Sequence, residues 1–183
     1  MSNTIVLYFH GYGSSPRSDK VADLQRVFGD VQAPPIPVLF DDAQQVLDAF
    51  IEDLLKQQRT LIIVGTSLGG YWAGKIGAKY DIPAVLINPS VNPCSSLKKY
   101  KNEALTDNEL SKFVALVPSS SPRIVLLAID DDVIDPGEAM KLFADNAKVQ
   151  CFPDGGHRFQ CPERIADAVK YLIQYETSDI CND

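Results

Sequence analysis

Gly65-Thr66-Ser67-Leu68-Gly69 sets a serine between two glycines. The apolar run Leu61-Ile62-Ile63-Val64 stands immediately before it, and a glycine-rich helical segment follows. The pattern is G-x-S-x-G, a nucleophile elbow. A serine hydroxyl becomes a nucleophile when it is exposed at the tip of a sharp strand-to-helix turn, within reach of a base. The glycines serve the turn, because a Cβ at either flank would clash. Alone the motif is weak, since a chain of this length shows one by chance in roughly one case in twenty. The strand before it and the helix after it supply the setting that the chemistry requires.

A serine mechanism needs a base, and the chain has only two histidines, His10 and His157. His157 ends Asp154-Gly155-Gly156-His157, a flexible turn between the last strand and the last helix. His10 closes the first strand and reads as a structural residue behind the loop Gly11-Tyr12-Gly13. The chain order serine, acid, histidine favours His157 as the base. The acid must then follow the strand ending near Ile129, where Asp130-Asp131-Asp132 and Asp135 are available. Asp135 is explained as a helix N-cap ahead of Pro136, with Glu138 as its capping-box partner. Asp131 is preferred, because Asp131-Asp132-Val133-Ile134 resembles the acid-bearing loop of many α/β-hydrolases. The aspartate cluster lacks EF-hand spacing and its closing glutamate, so neither a metal nor any other cofactor is expected. Backbone N–H groups of Leu68 and Tyr12 are the expected oxyanion donors.

These groups must be held by a scaffold, and short apolar runs alternate with helical periodicities along the 183 residues. That alternation predicts one α/β domain of three layers, a mostly parallel sheet between helices. Strands are expected at Thr4–Phe9, Val31–Ala33, Thr60–Val64, Ala84–Asn88, Arg123–Ile129 and Val149–Phe152. Their continuous apolar character suits strands buried on both faces. Helices are expected after Ser18 as N-cap and over Asp42–Gln58, Leu68–Tyr80, Pro136–Ala147 and Pro162–Tyr175. Pro89–Pro122 is too long for a plain connection and carries a helix near Asp107–Val117. Two readings stand for it, a small helical lid over the site and an irregular surface excursion.

Composition narrows the partners. A net charge of −7 argues against a nucleic-acid surface. The apolar stretch from Ile5 to Phe9 is too short for a signal segment or a membrane span, so the reducing cytoplasm is the expected compartment and no membrane partner is expected. Cys94, Cys151, Cys161 and Cys181 form no C-x-x-C pair and read as free thiols.

Three blocks carry a family resemblance: Tyr8 through Ser18, Gly65 through Trp72, and Asn88-Pro89. With them the chain resembles the small bacterial YqiA-type esterases and their YcfP-like relatives, a compact branch of the α/β-hydrolase superfamily. The resemblance implies hydrolysis of a small-molecule carboxylic ester, with Ser67, Asp131 and His157 at the triad positions. Thioesterase and acyl-transferase chemistry would use the same groups. A non-catalytic binding module of this fold would instead show a broken triad or a buried serine. A dinucleotide-binding reading fails because Pro16 stands where a third glycine is required. Arg17 has two readings, contact with an anionic substrate group or pairing with surface acids that steadies the oxyanion loop. The second is preferred on sequence grounds.

Overall fold

All six apolar runs form strands in the computed structural model, which describes residues 3–179. They are β1 (Thr4–Phe9), β2 (Val31–Gln32), β3 (Thr60–Thr66), β4 (Ala84–Ile87), β5 (Arg123–Ala128) and β6 (Lys148–Phe152). They pair in the order β2-β1-β3-β4-β5-β6, and every pair is parallel. The helices are α1 (Asp19–Phe28), α2 (Phe40–Lys56), α3 (Leu68–Tyr80), α4 (Pro93–Ser96), α5 (Asp107–Ser111), α6 (Pro136–Phe143) and α7 (Pro162–Asp179).

The period of two along each strand divides the core into two layers. Ile5, Leu7, Phe9, Leu61, Ile63, Leu86, Val125 and Leu127 face one layer, with Leu47 and Ile51 of α2, Tyr71 and Trp72 of α3 and Phe143 of α6. Val6, Tyr8, Ile62, Val64, Val85, Ile87, Ile124 and Leu126 face the other, with Leu24 of α1 and Ile165, Val169 and Leu172 of α7. The central strands therefore have no polar face, which explains their continuous hydrophobic sequence.

Several helix boundaries differ from expectation for identifiable reasons. α2 starts at Phe40, so Asp41 and Asp42 occupy its first turn, where acidic groups favour the helix dipole. Ser18 stands at the N-cap position of α1, but its side chain makes no capping bond. α6 stops at Phe143 because the Asn146 side chain takes the Leu142 carbonyl, and the Asn146 backbone N–H turns to Phe143. Asp135 caps α6 through the N–H of Gly137 at 2.8 Å. α5 ends at Ser111 as the chain bends to bury Phe113. From Pro89 to Pro122 the chain sends Leu97, Leu105, Leu110 and Phe113 into the core. Cys94, Cys151 and Cys161 are free thiols, and Cys181 lies outside the described residues.

The strand order reverses around β1. The connection from β1 leads to β2 on one side, while β3 lies on the other, which opens a crevice at their carboxyl ends. Gly11 follows β1 and Ser67 follows β3 at that crevice. Close approach there is built on glycine: a Cβ on Gly69 would lie 2.0 Å from the Phe9 carbonyl oxygen, and one on Gly65 would lie 2.1 Å from the Gly69 carbonyl oxygen. Both obstacles are backbone, so neither can rotate away. Gly69→Ala should cost about 3 kcal/mol or more of folding stability in urea titrations, at or beyond the upper end of ordinary overpacking. Lys56→Ala, at the exposed end of α2, should stay within about 0.5 kcal/mol.

Candidate active site

Ser67 is the one half-buried residue in a run that is buried from Leu61 to Ala73. Its backbone has φ 57° and ψ −120°, a conformation that costs a residue with a Cβ on the order of 1–3 kcal/mol. The surroundings over-determine it. The Ser67 N–H donates to the Ile87 carbonyl at 2.9 Å, and its carbonyl accepts from Tyr71 and Ser90, each at 3.1 Å. The strand-to-helix turn thus holds the hydroxyl up at the floor of the crevice.

The loop after β1 packs directly on this turn. A Cβ on Gly11 would sit 3.2 Å from the Thr66 carbonyl oxygen and 3.3 Å from the Ser67 Cβ. The Ser14 N–H closes the turn onto the Gly11 carbonyl at 3.2 Å, and Gly13 takes φ 68°. Neither the Tyr12 nor the Leu68 backbone N–H has an acceptor among the described residues. The Tyr12 ring stacks on Tyr100, with centroids 4.8 Å apart. His10 is buried behind the loop, with its Nδ1 donating to the Gly11 carbonyl at 3.0 Å and its Nε2 accepting from the Ile36 N–H at 3.2 Å. Both ring nitrogens are committed to backbone, so this histidine supports the loop.

His157 meets Asp131. Nδ1 lies 3.0 Å from Oδ1 and 2.9 Å from Oδ2, with the carboxylate side chain only 1% exposed. Asp131 Oδ1 also accepts from the N–H groups of Val133 and Ile134, at 2.8 and 2.9 Å. Burial alone would raise the Asp131 pKa, but the bonds from His157, Ile134 and Val133 outweigh it and hold the carboxyl below its ordinary value. An ionised carboxylate only accepts, so the proton of a neutral His157 sits on Nδ1 and Nε2 is left as the basic nitrogen.

The turn that carries His157 is pinned, contrary to its flexible look in sequence. Gly155 and Gly156 take φ 130° and 56°, and Phe159 at φ 48° is buried against Phe152. Asp130, left open as a candidate acid, accepts the Gly156 N–H at 2.8 Å. In sequence Asn88 stands at the end of an expected strand and in a resembling block, with no role of its own; in the structure it lies one residue beyond β4. Its Nδ2 donates to the carbonyls of Gly156 and His157 at 3.0 and 3.2 Å, while its Oδ1 accepts the Ala128 N–H at 2.8 Å. Its position after β4, at φ 41°, is the only local signal that sets it apart.

Ser67, Tyr12, Leu68 and His157 line one cleft of about 490 Å³. Ser96, Leu97 and Tyr100 from the Pro89–Pro122 region form part of its wall. Arg17 also lines it and forms no ion pair among the described residues, which overturns its preferred reading as a partner of surface acids. No group of three or more His, Cys, Asp or Glu side chains among the described residues is arranged to hold a metal ion. No described helix is long and apolar enough to cross a membrane.

A family model described as "Uncharacterised protein family (UPF0227)" matches residues 5–174. The UPF0227 protein YcfP of Salmonella gallinarum is 33% identical over 164 residues, covering 85% of this chain and 91% of that one. A UPF0227 protein of Shewanella woodyi is 30% identical over 141 residues, covering 72% and 78%. Among solved structures, Est1E from Butyrivibrio proteoclasticus superposes with TM-score 0.77 at 13% identity, covering 97% of this chain and 89% of that one. A structure from work on the metagenome-derived lipolytic enzymes LipS and LipT gives TM-score 0.78 at 15% identity, covering 95% and 94%. Mouse α/β hydrolase domain-containing protein 10 gives TM-score 0.76 at 12% identity, covering 93% and 90%. The chain has the α/β-hydrolase fold.

Two measurements test this geometry without a substrate. Asn88→Ala should cost about 2 kcal/mol, because it leaves the buried Ala128 N–H unpaired, and should speed amide exchange across residues 155–160. The Asp131 carboxyl is held below its unfolded value near 3.9, so its stabilising contribution is complete above that value. The contribution is lost as pH falls from there through the folded value. Between pH 5 and 3 the wild-type chain should therefore lose more stability than Asp131→Asn in urea titrations.

Proposed function

This chain belongs to the UPF0227 family, and from that premise we propose that it is a serine hydrolase cleaving small carboxylic esters. The observation that carries the reading is the contact of His157 with Asp131 at 2.9 Å, in the same cleft as a strained, half-exposed Ser67. A binding module of this fold has no use for a strained serine backbone or for a carboxylate dedicated to a histidine. That the fold neighbours include lipolytic enzymes, and an esterase of Pyrococcus furiosus at TM-score 0.69 and 14% identity, also supports it.

In this reading Nε2 of His157 takes the Ser67 proton as Oγ attacks the ester carbonyl carbon. The N–H groups of Leu68 and Tyr12, which have no other acceptor among the described residues, receive the oxyanion. Collapse of the tetrahedral intermediate breaks the bond to the alkoxide, and protonated His157 supplies the proton that releases the alcohol. Water then enters, gives its proton to Nε2 and attacks the acyl carbon, which returns Ser67 and frees the acid. Asp131 keeps the proton on Nδ1 and stabilises the imidazolium. The cleft volume of about 490 Å³ suits a small or short-acyl ester.

Ser67→Ala should lower kcat/KM for p-nitrophenyl acetate by at least about a thousandfold and abolish labelling by a fluorophosphonate probe. Full activity in that variant, or a wild-type chain that neither labels nor hydrolyses esters, refutes the proposal.

A further inference from the structure

The chain has more acids than bases, and its cations are mostly engaged. Arg26, Arg59, Lys79, Lys101, Lys112 and Lys170 sit in ion pairs. Lys75, Lys99, Arg123, Lys148 and Arg164 lie over aromatic rings. The cleft wall is different. Arg17, Lys20 and Arg158 all line it, and among the described residues none of the three forms an ion pair or lies over an aromatic ring, although Asp19 and Asp23 are near enough to act on Lys20. Asp19 is the single acid on the same wall.

We propose that Arg17, Lys20 and Arg158 form an anion subsite, so that the ester cleaved at Ser67 carries a carboxylate or phosphate group. The proposal rests on the hydrolase reading of Ser67. Two stretches far apart in the chain meet at this cleft: Arg17 and Lys20 lie where the loop after β1 runs into the first turn of α1, and Arg158 stands next to His157. The Lys20 ammonium donates to the Arg158 carbonyl, which fixes the start of α1 against the histidine turn. Burial, and then the Arg158 charge, pull the Lys20 pKa down, while Asp19 and Asp23 pull it back up. An anion bound beside Lys20 and Arg158 relieves the repulsion between those two charges. Two guanidinium groups also offer the planar donor forks that match carboxylate or phosphate oxygens.

The kinetic test compares p-nitrophenyl hydrogen glutarate with neutral p-nitrophenyl valerate. The ratio of their kcat/KM values should favour the anionic ester in the wild-type chain and fall about fivefold in Arg17→Gln and in Arg158→Gln, as loss of an exposed charge contact predicts. A binding test needs no turnover. N-phenylglutaramic acid and phenyl phosphate are titrated calorimetrically into Ser67→Ala and into the same protein carrying Arg17→Gln or Arg158→Gln. Weakening of the first probe assigns a carboxylate, and weakening of the second a phosphate. If valerate is cleaved through Ser67 but the ratio and both affinities ignore the substitutions, the subsite is wrong and the hydrolase stands. If no ester is cleaved while a probe binds and the arginine variants weaken it, the subsite stands and the hydrolase reading falls.

Discussion

The first turn of α3 runs against the end of β1 at a distance that only hydrogen on Cα permits. At Gly69 the neighbour is the Phe9 carbonyl, and at Gly65 it is the carbonyl of Gly69 itself. Because both are backbone atoms, one at the end of β1 and the other in the first turn of α3, the approach cannot be relaxed by a change of rotamer. It draws the loop Gly11–Gly13 down beside Ser67 and forces the serine into its strained φ and ψ. The cost of that conformation is met by packing and by three backbone hydrogen bonds, so the Cα–Cβ bond of the serine has one direction. A side chain that points into a crevice between two parallel strand ends follows from this contact.

The histidine is held by a different principle. His157 has no strand or helix of its own, and its turn contains backbone conformations that glycine alone adopts cheaply. Rigidity comes from below, through Phe159 in the core, and from the side, through Asn88 and Asp130. Asn88 grips the carbonyl oxygens of the turn and leaves the imidazole untouched. The ring is therefore oriented only by Asp131, which takes Nδ1 and turns Nε2 outward. Positioning through the backbone secures the turn without consuming the atoms that could do chemistry.

The sheet was legible because burial on both faces writes itself into every central strand as an unbroken apolar run. Ser67 was legible because its turn demands glycines at fixed offsets, and Asp131 because helix capping accounts for Asp135. What stayed hidden depends on contacts between residues far apart in the chain. Asn88 acts across 68 and 69 positions, on Gly156 and His157. Nothing in its own neighbourhood announces those partners. The premature end of α6 arises from a side chain competing with the backbone for one carbonyl, which helical periodicity does not register. Arg17 was misread for a related reason. An acidic chain makes an ion pair the natural guess for any arginine, and only the fold shows which acids are out of reach.

The unpaired arginines of the cleft give the net charge a different meaning at short range. A value of −7 repels anions from a distance, but at physiological ionic strength the repulsion fades beyond a Debye length of about 8 Å. Within that range a ligand feels the groups lining the wall, and these are two arginines, a lysine and one aspartate. The bulk charge then governs solubility while the cleft sets its own local field. Arg17, Lys20 and Arg158 lie within that range of the serine's cleft, whatever the charge of the rest of the surface. A chain whose overall composition argues against phosphate-bearing macromolecules is in this way consistent with a small anionic ligand, because the two statements concern different length scales.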